Sequence, residues 1–159
     1  MKTPILLRRH SGFAWQIPFS RKELAVLLDA MRAGCGLENL PLDVTLADDA
    51  FVSAVNLTYL GCFGPTNILS FPPAKRLPRL RPCAAPSIPA AFTDCGMLLL
   101  SLDAVNREAF LYGQKTAVYA LRLFAHGLAH LAGLEHGDAL DALQKKAFAA
   151  GGKALKNVV

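Results

Sequence analysis

The stretch FAHGLAHLAGLEH, residues 124–136, decides how the rest of the chain is read. It holds three of the four histidines in the sequence, inside a segment whose other residues are those of a buried helix. Residues four apart on an α-helix lie one turn above each other with Cβ atoms about 6 Å apart, so His126 and His130 project side by side. Gly133 follows three residues later, and a glycine there takes the left-handed conformation that ends a helix and turns the chain back. His136 is thereby returned towards the other two. Three neutral imidazoles aimed at one point are the donor set of a catalytic zinc site, with nitrogens at about 2.0–2.1 Å and a fourth position open to water. A lone histidine on an apolar helix is most often satisfied by a backbone carbonyl. Three at this spacing, with histidine scarce elsewhere, predict a metal centre.

Working outward, the helix that carries His126 and His130 is predicted from about Lys115 to Ala132. It is preceded by a short helix from Asp103 to about Tyr112 and followed by one from Asp138 to about Ala150, which Gly151 and Gly152 are expected to end. Towards the N-terminus, TPILLRR (3–9) suits a strand, and Ser20 with Glu23 forms a capping box that opens a helix running to about Gly34. LDVTLAD (42–48) has the alternation of a half-buried strand, and Asp48 or Asp49 caps a second helix that runs to Gly61. NILSF (67–71) and GMLLLS (96–101) read as two further strands. Six of the ten prolines fall in residues 72–94, together with Lys75, Arg76, Arg79 and Arg81. Proline lacks the donor that a helix or a central strand needs, so this is a basic loop within the domain. The expectation is a single α+β domain over residues 1–159, with one mixed, mostly four-stranded sheet packed with about five helices.

Composition sets the limits. The 159 residues suit one core, and 53% hydrophobic with 18% charged residues excludes a disordered chain. No run approaches the roughly 18 apolar residues of a membrane span, so no membrane partner is expected. MKTPILLRRHSG lacks a secretory cleavage pattern, and the expected location is cytoplasmic. The four cysteines form no C-x-x-C pair, which argues for reduced thiols over a zinc knuckle or redox dithiol. A net charge of +5 favours a polyanionic partner without identifying one.

The spacing H-x-x-x-H-x-x-G-x-x-H is also that of metzincin peptidases, in which a glutamate follows the first histidine as general base. Gly127 stands there instead, so the ligand geometry is kept and the peptidase base is missing. Glu135 is the only carboxylate within the motif and is the candidate catalytic group, with a solvent-facing turn residue as the plainer alternative.

H-G-x-x-H-L-x-G-x-x-H, together with VNLTYLGCFGPTNILSFPP (55–73) and CGMLLLSLDAV (95–105), resembles the YbeY family of bacterial metal-dependent endoribonucleases. The resemblance implies a mixed-sheet α+β fold with Zn2+ held by His126, His130 and His136. It also implies activity on single-stranded RNA, a place in maturation of the 16S ribosomal RNA 3′ end and in ribosome quality control, and partnership with the small ribosomal subunit. Asn67 and Ser70 of the T-N-I-L-S-F segment, with Lys75 and Arg76 of the basic loop, are the candidate substrate-binding residues. The sequence departs from the family pattern at Leu60, where the family has an arginine suited to holding a phosphate. The alternatives are a catalytically weakened, metal-containing RNA- or ribosome-binding factor and a metzincin-like metallopeptidase.

Overall fold

Residues 3–10, 17–73 and 94–158 are described by the structure, a computed structural model of the chain. Four strands and five helices alternate as β1 (Ile5–His10), α1 (Arg21–Gly34), β2 (Leu42–Ala47), α2 (Asp49–Leu60), β3 (Ile68–Phe71), β4 (Gly96–Ser101), α3 (Leu102–Leu111), α4 (Thr116–Leu131) and α5 (Asp138–Val158). The helix starts follow local chemistry. Ser20 and Glu23 complete their reciprocal cap, with the Ser20 N–H donating to Glu23 at 2.6 Å, and the Asp48 carboxylate accepts from the Phe51 N–H at 2.8 Å. Gly61 closes α2 in the left-handed conformation, with φ of 65°.

The sheet order is β1-β2-β4-β3, with the first three strands parallel and β3 antiparallel to β4. Side chains alternate across it, because successive residues of a strand point to opposite faces. Leu7, Leu42, Val44, Leu98, Leu100 and Ile68 face one side, where they join the buried faces of α1, α3 and α4 in the main core. Ala47, Leu69 and Leu99 face the other side and pack with Phe51, Val52 and Val55 of α2. Among the described residues, no helix is long and apolar enough to cross a membrane.

The last helix departs from the sequence expectation. It runs through Gly151 and Gly152 to Val158 instead of stopping near Ala150. A Cβ added at Gly151 would lie 2.8 Å from Met31 Cγ and Sδ, and one at Gly34 would lie 3.0 Å from Ala150 Cβ. Gly151 therefore serves the close approach of α5 to α1. Each helical glycine costs about 1 kcal/mol relative to alanine, and burial at the helix crossing offsets it.

Candidate metal centre

α4 is an apolar helix held flat on the sheet, with Ala120, Phe124, Ala125, Leu128 and Leu131 all buried. Its closest approach is at Gly127. A Cβ there would stand 2.8 Å from both Ile68 Cδ1 and Leu98 Cδ2 and 3.1 Å from Ser70 Oγ. The residue after the first histidine is therefore glycine because β3 and β4 leave no room for a side chain. A peptidase-type glutamate does not fit at this position.

The neighbouring residues turn away from that contact and meet at the end of the helix. α4 ends at Leu131, and Gly133 takes φ of 85°, the left-handed turn expected from the motif. His126, His130 and His136 each offer a ring nitrogen, and these atoms lie within 4.8 Å of one another. The His126 and His130 ring centroids are 4.6 Å apart, with His136 at 5.7 Å and 4.8 Å from them. The first two rings are half-buried and His136 is exposed, so the cluster opens to solvent on one side.

Protonation can be read from the partners. His126 Nδ1 lies 3.1 Å from Gln144 Oε1, and His130 Nδ1 lies 3.1 Å from the Leu134 carbonyl. Both partners are oxygen acceptors, so in the neutral rings both Nδ1 atoms carry the proton and both Nε2 atoms present lone pairs. Those two Nε2 atoms are 3.1 Å apart. Two lone pairs facing at that distance repel, and a cation between them would relieve the repulsion. Nitrogens bound to one tetrahedral zinc at about 2.0–2.1 Å would stand about 3.3 Å apart. Burial, and then the neighbouring His126, hold the His130 imidazole below its ordinary pKa against the opposing Leu134 carbonyl, which keeps it in the neutral, ligating form. The residues present fit a divalent metal ion.

The other sequence candidates are spread around this cluster. Ser70 sits on β3 with its hydroxyl against Gly127, beside the first histidine. Asn67 immediately precedes that strand, and its amide is engaged at both ends within the fold: Nδ2 donates to Glu108 at 3.0 Å and Oδ1 accepts from the Ile68 N–H at 2.8 Å. Tyr119 donates to the same Glu108 carboxylate at 2.6 Å, and burial, with that carboxylate next, raises the phenol well above its ordinary pKa. Glu135 is exposed in the turn immediately before His136. Lys75 and Arg76 lie outside the described residues. Leu60 is the last residue of α2, 51% exposed, and Phe63 three residues on is 89% exposed, so the end where the resemblance implies an arginine is apolar.

Two contributors escaped sequence reasoning. Gln144 is eighteen residues from His126 on another helix, and Glu108 reaches Asn67 from α3. Neither carries a local signal, since only the packing of distant helices brings them in.

Fold and site define a class: single α+β domains with a mixed sheet and a three-histidine cluster able to hold a metal ion, two of the histidines on a helix packed against one sheet face and the third just beyond it. The family model described as Endoribonuclease YbeY matches residues 18–151. A protein named Endoribonuclease YbeY from Oleidesulfovibrio alaskensis is 43% identical over 86% of this chain and 86% of its own length. Another of that name from Nitratidesulfovibrio vulgaris is 40% identical over 84% of this chain and 86% of its own length. The fold is similar to the solution structure of TM1509 from Thermotoga maritima, with a TM-score of 0.61 at 18% identity, covering 96% of this chain and 93% of that one. The chain belongs to the YbeY endoribonuclease family.

Proposed function

We propose that this chain is a zinc-dependent endoribonuclease acting on single-stranded RNA in the cytoplasm, at the maturing 3′ end of 16S ribosomal RNA and in quality control of the small ribosomal subunit. Family membership supports the RNA-cutting activity. The observation that carries the metal reading is the convergence of one ring nitrogen from each of His126, His130 and His136 within 4.8 Å, the first two presenting Nε2 atoms 3.1 Å apart. His126, His130 and His136 hold the ion, which when bound supplies Lewis acidity towards a phosphodiester oxygen near neutral pH. The chain's own residues do the rest. The solvent-open side of the cluster admits a strand, and the Ser70 hydroxyl, against the helix at Gly127, binds it. Glu135, exposed beside the third histidine, takes up a proton.

A second reading, a catalytically weakened RNA- or ribosome-binding factor, is favoured by one observation, the apolar end of α2 at Leu60 and Phe63. The peptidase reading loses its base to the packing at Gly127.

The test is metal analysis of the purified protein followed by incubation with single-stranded RNA, duplex RNA and a peptide substrate. Bound zinc and cleavage of the single strand alone are expected. His130→Ala should abolish both, and Glu135→Gln should lower the rate about a hundredfold while leaving metal in place. Absence of a transition metal, or cleavage that survives His130→Ala, overturns the proposal. Metal and RNA binding without cleavage decides for the second reading.

A further inference from the structure

The three-histidine motif does not by itself determine which nitrogen of each ring faces the ion. For His130 the motif is sufficient, because its Nδ1 partner is the carbonyl of Leu134, four residues on in the same turn. Any chain that stops the helix at Gly133 places that carbonyl nearby. For His126 the partner is Gln144 Oε1 on α5, a separate helix. An imidazole has two tautomers of similar energy, and only the one protonated on Nδ1 offers Nε2 to a shared ion. With no acceptor at Nδ1, the His126 proton is free to sit on Nε2, where it meets the His130 ring at 3.1 Å as a hydrogen-bond donor. That arrangement closes the space an ion would occupy.

We infer that Gln144 is a positioning residue that holds His126 in the ligating tautomer, so that α5 is a working part of the metal centre. This rests on the metal reading given above. The side chain is well placed for the role. Gln144 is half-buried and lies on the turn of α5 between Leu140 and Ala147, both buried, so the helix is anchored on either side of it. α5 is further locked by the close contact of Gly151 with Met31 on α1. Orientation of a ligating histidine through its second ring nitrogen changes metal affinity by about 10–100-fold.

The experiment measures zinc affinity of the full chain by competition with a chromophoric chelator, for the parent, Gln144→Met and Gln144→Glu. It also follows the His126 Nδ1–H resonance in the zinc-loaded proteins by NMR. Gln144→Met keeps the length and removes the acceptor. It should bind zinc about 10–100-fold more weakly and lose the slowly exchanging Nδ1–H signal. Gln144→Glu restores an acceptor and should recover both, which a merely space-filling glutamine would not require. Equal affinity of the parent and Gln144→Met with the signal retained, or failure of Gln144→Glu to recover what Gln144→Met loses, overturns the inference while leaving the metal centre standing. A parent chain that binds no zinc removes the metal reading and this inference together, and that outcome is seen before any variant is made.

Discussion

On one face of the sheet, α4 lies so close that neither Gly96 on β4 nor Gly127 on α4 has room for a Cβ, and α5 packs against both α4 and α1. On the other face α2 is the one helix among the described residues. It covers part of the strands and leaves a cleft of about 230 Å³, lined among others by Arg8, His10, Asp43, Tyr59, Phe71 and Met97. Arg8 pairs with Asp43 at 3.0 Å there, and His10 stacks on Phe51 at 4.5 Å. The difference shows where precision is needed. Ligands to one ion must be held to within a few tenths of an ångström, and close-packed interiors supply that stiffness. Leu60, where the resemblance implies an arginine, is the last residue of α2 on the other side and is half exposed.

The widest test of this contrast is to open a cavity on each face. Phe124→Ala, at a site with 0% exposure on α4, should cost about 3–5 kcal/mol in urea unfolding. Val52→Ala, also at 0% exposure but on α2, removes two carbon groups and should cost about 1.5 kcal/mol. Because Val52→Ala removes far fewer atoms, equal losses would mean that the α2 face is packed at least as tightly as the α4 face, against this contrast. Overpacking probes the dense face from the opposite direction. Gly127→Ala should destabilise by about 1–3 kcal/mol and weaken zinc binding as α4 lifts from Ile68 and Leu98. Unchanged stability and affinity would show that β3 and β4 yield easily.

A smaller effect should appear in alkali. Burial pushes the Cys35 thiol, at the end of α1, up to about 11 from an ordinary 9.0. The folded value lies above the unfolded one, so this contribution to stability is complete below about pH 9. It falls as pH rises towards 11, by at most about 1.4 kcal/mol per unit. Cys35→Ala should flatten that part of the stability profile, and an unaltered slope would show the thiol is not shielded. The smallest change in stability, within about 0.5 kcal/mol, is expected of Leu60→Arg on the exposed end of α2. Its effect should appear in function instead, as faster cleavage of single-stranded RNA. No change in rate would show that the missing arginine does not limit the reaction.

Much of this architecture was legible from local chemistry. The Ser20–Glu23 box, the Asp48 cap and the left-handed Gly133 each depend on groups within four residues, and each formed as the sequence predicted. What could not be read depended on partners far along the chain. Gly151 and Gly152 resemble a helix stop until Met31 is seen against Gly151, and Gly127 resembles a lost carboxylate until Ile68 and Leu98 are seen beneath it. Gln144 has no sequence signature because its value lies in one hydrogen bond across two helices.

The crossing of α1 with α5 also has a meaning in time. A ribosome delivers the chain from the N-terminal end at about 5–20 residues per second, so α1 is made well before α5. Until α5 emerges, Met31 lacks the Gly151 surface that covers it, and the nascent protein carries an apolar helix face of the kind that chaperones hold. The three histidines precede α5, but the Gln144 partner of His126 Nδ1 arrives only with that helix.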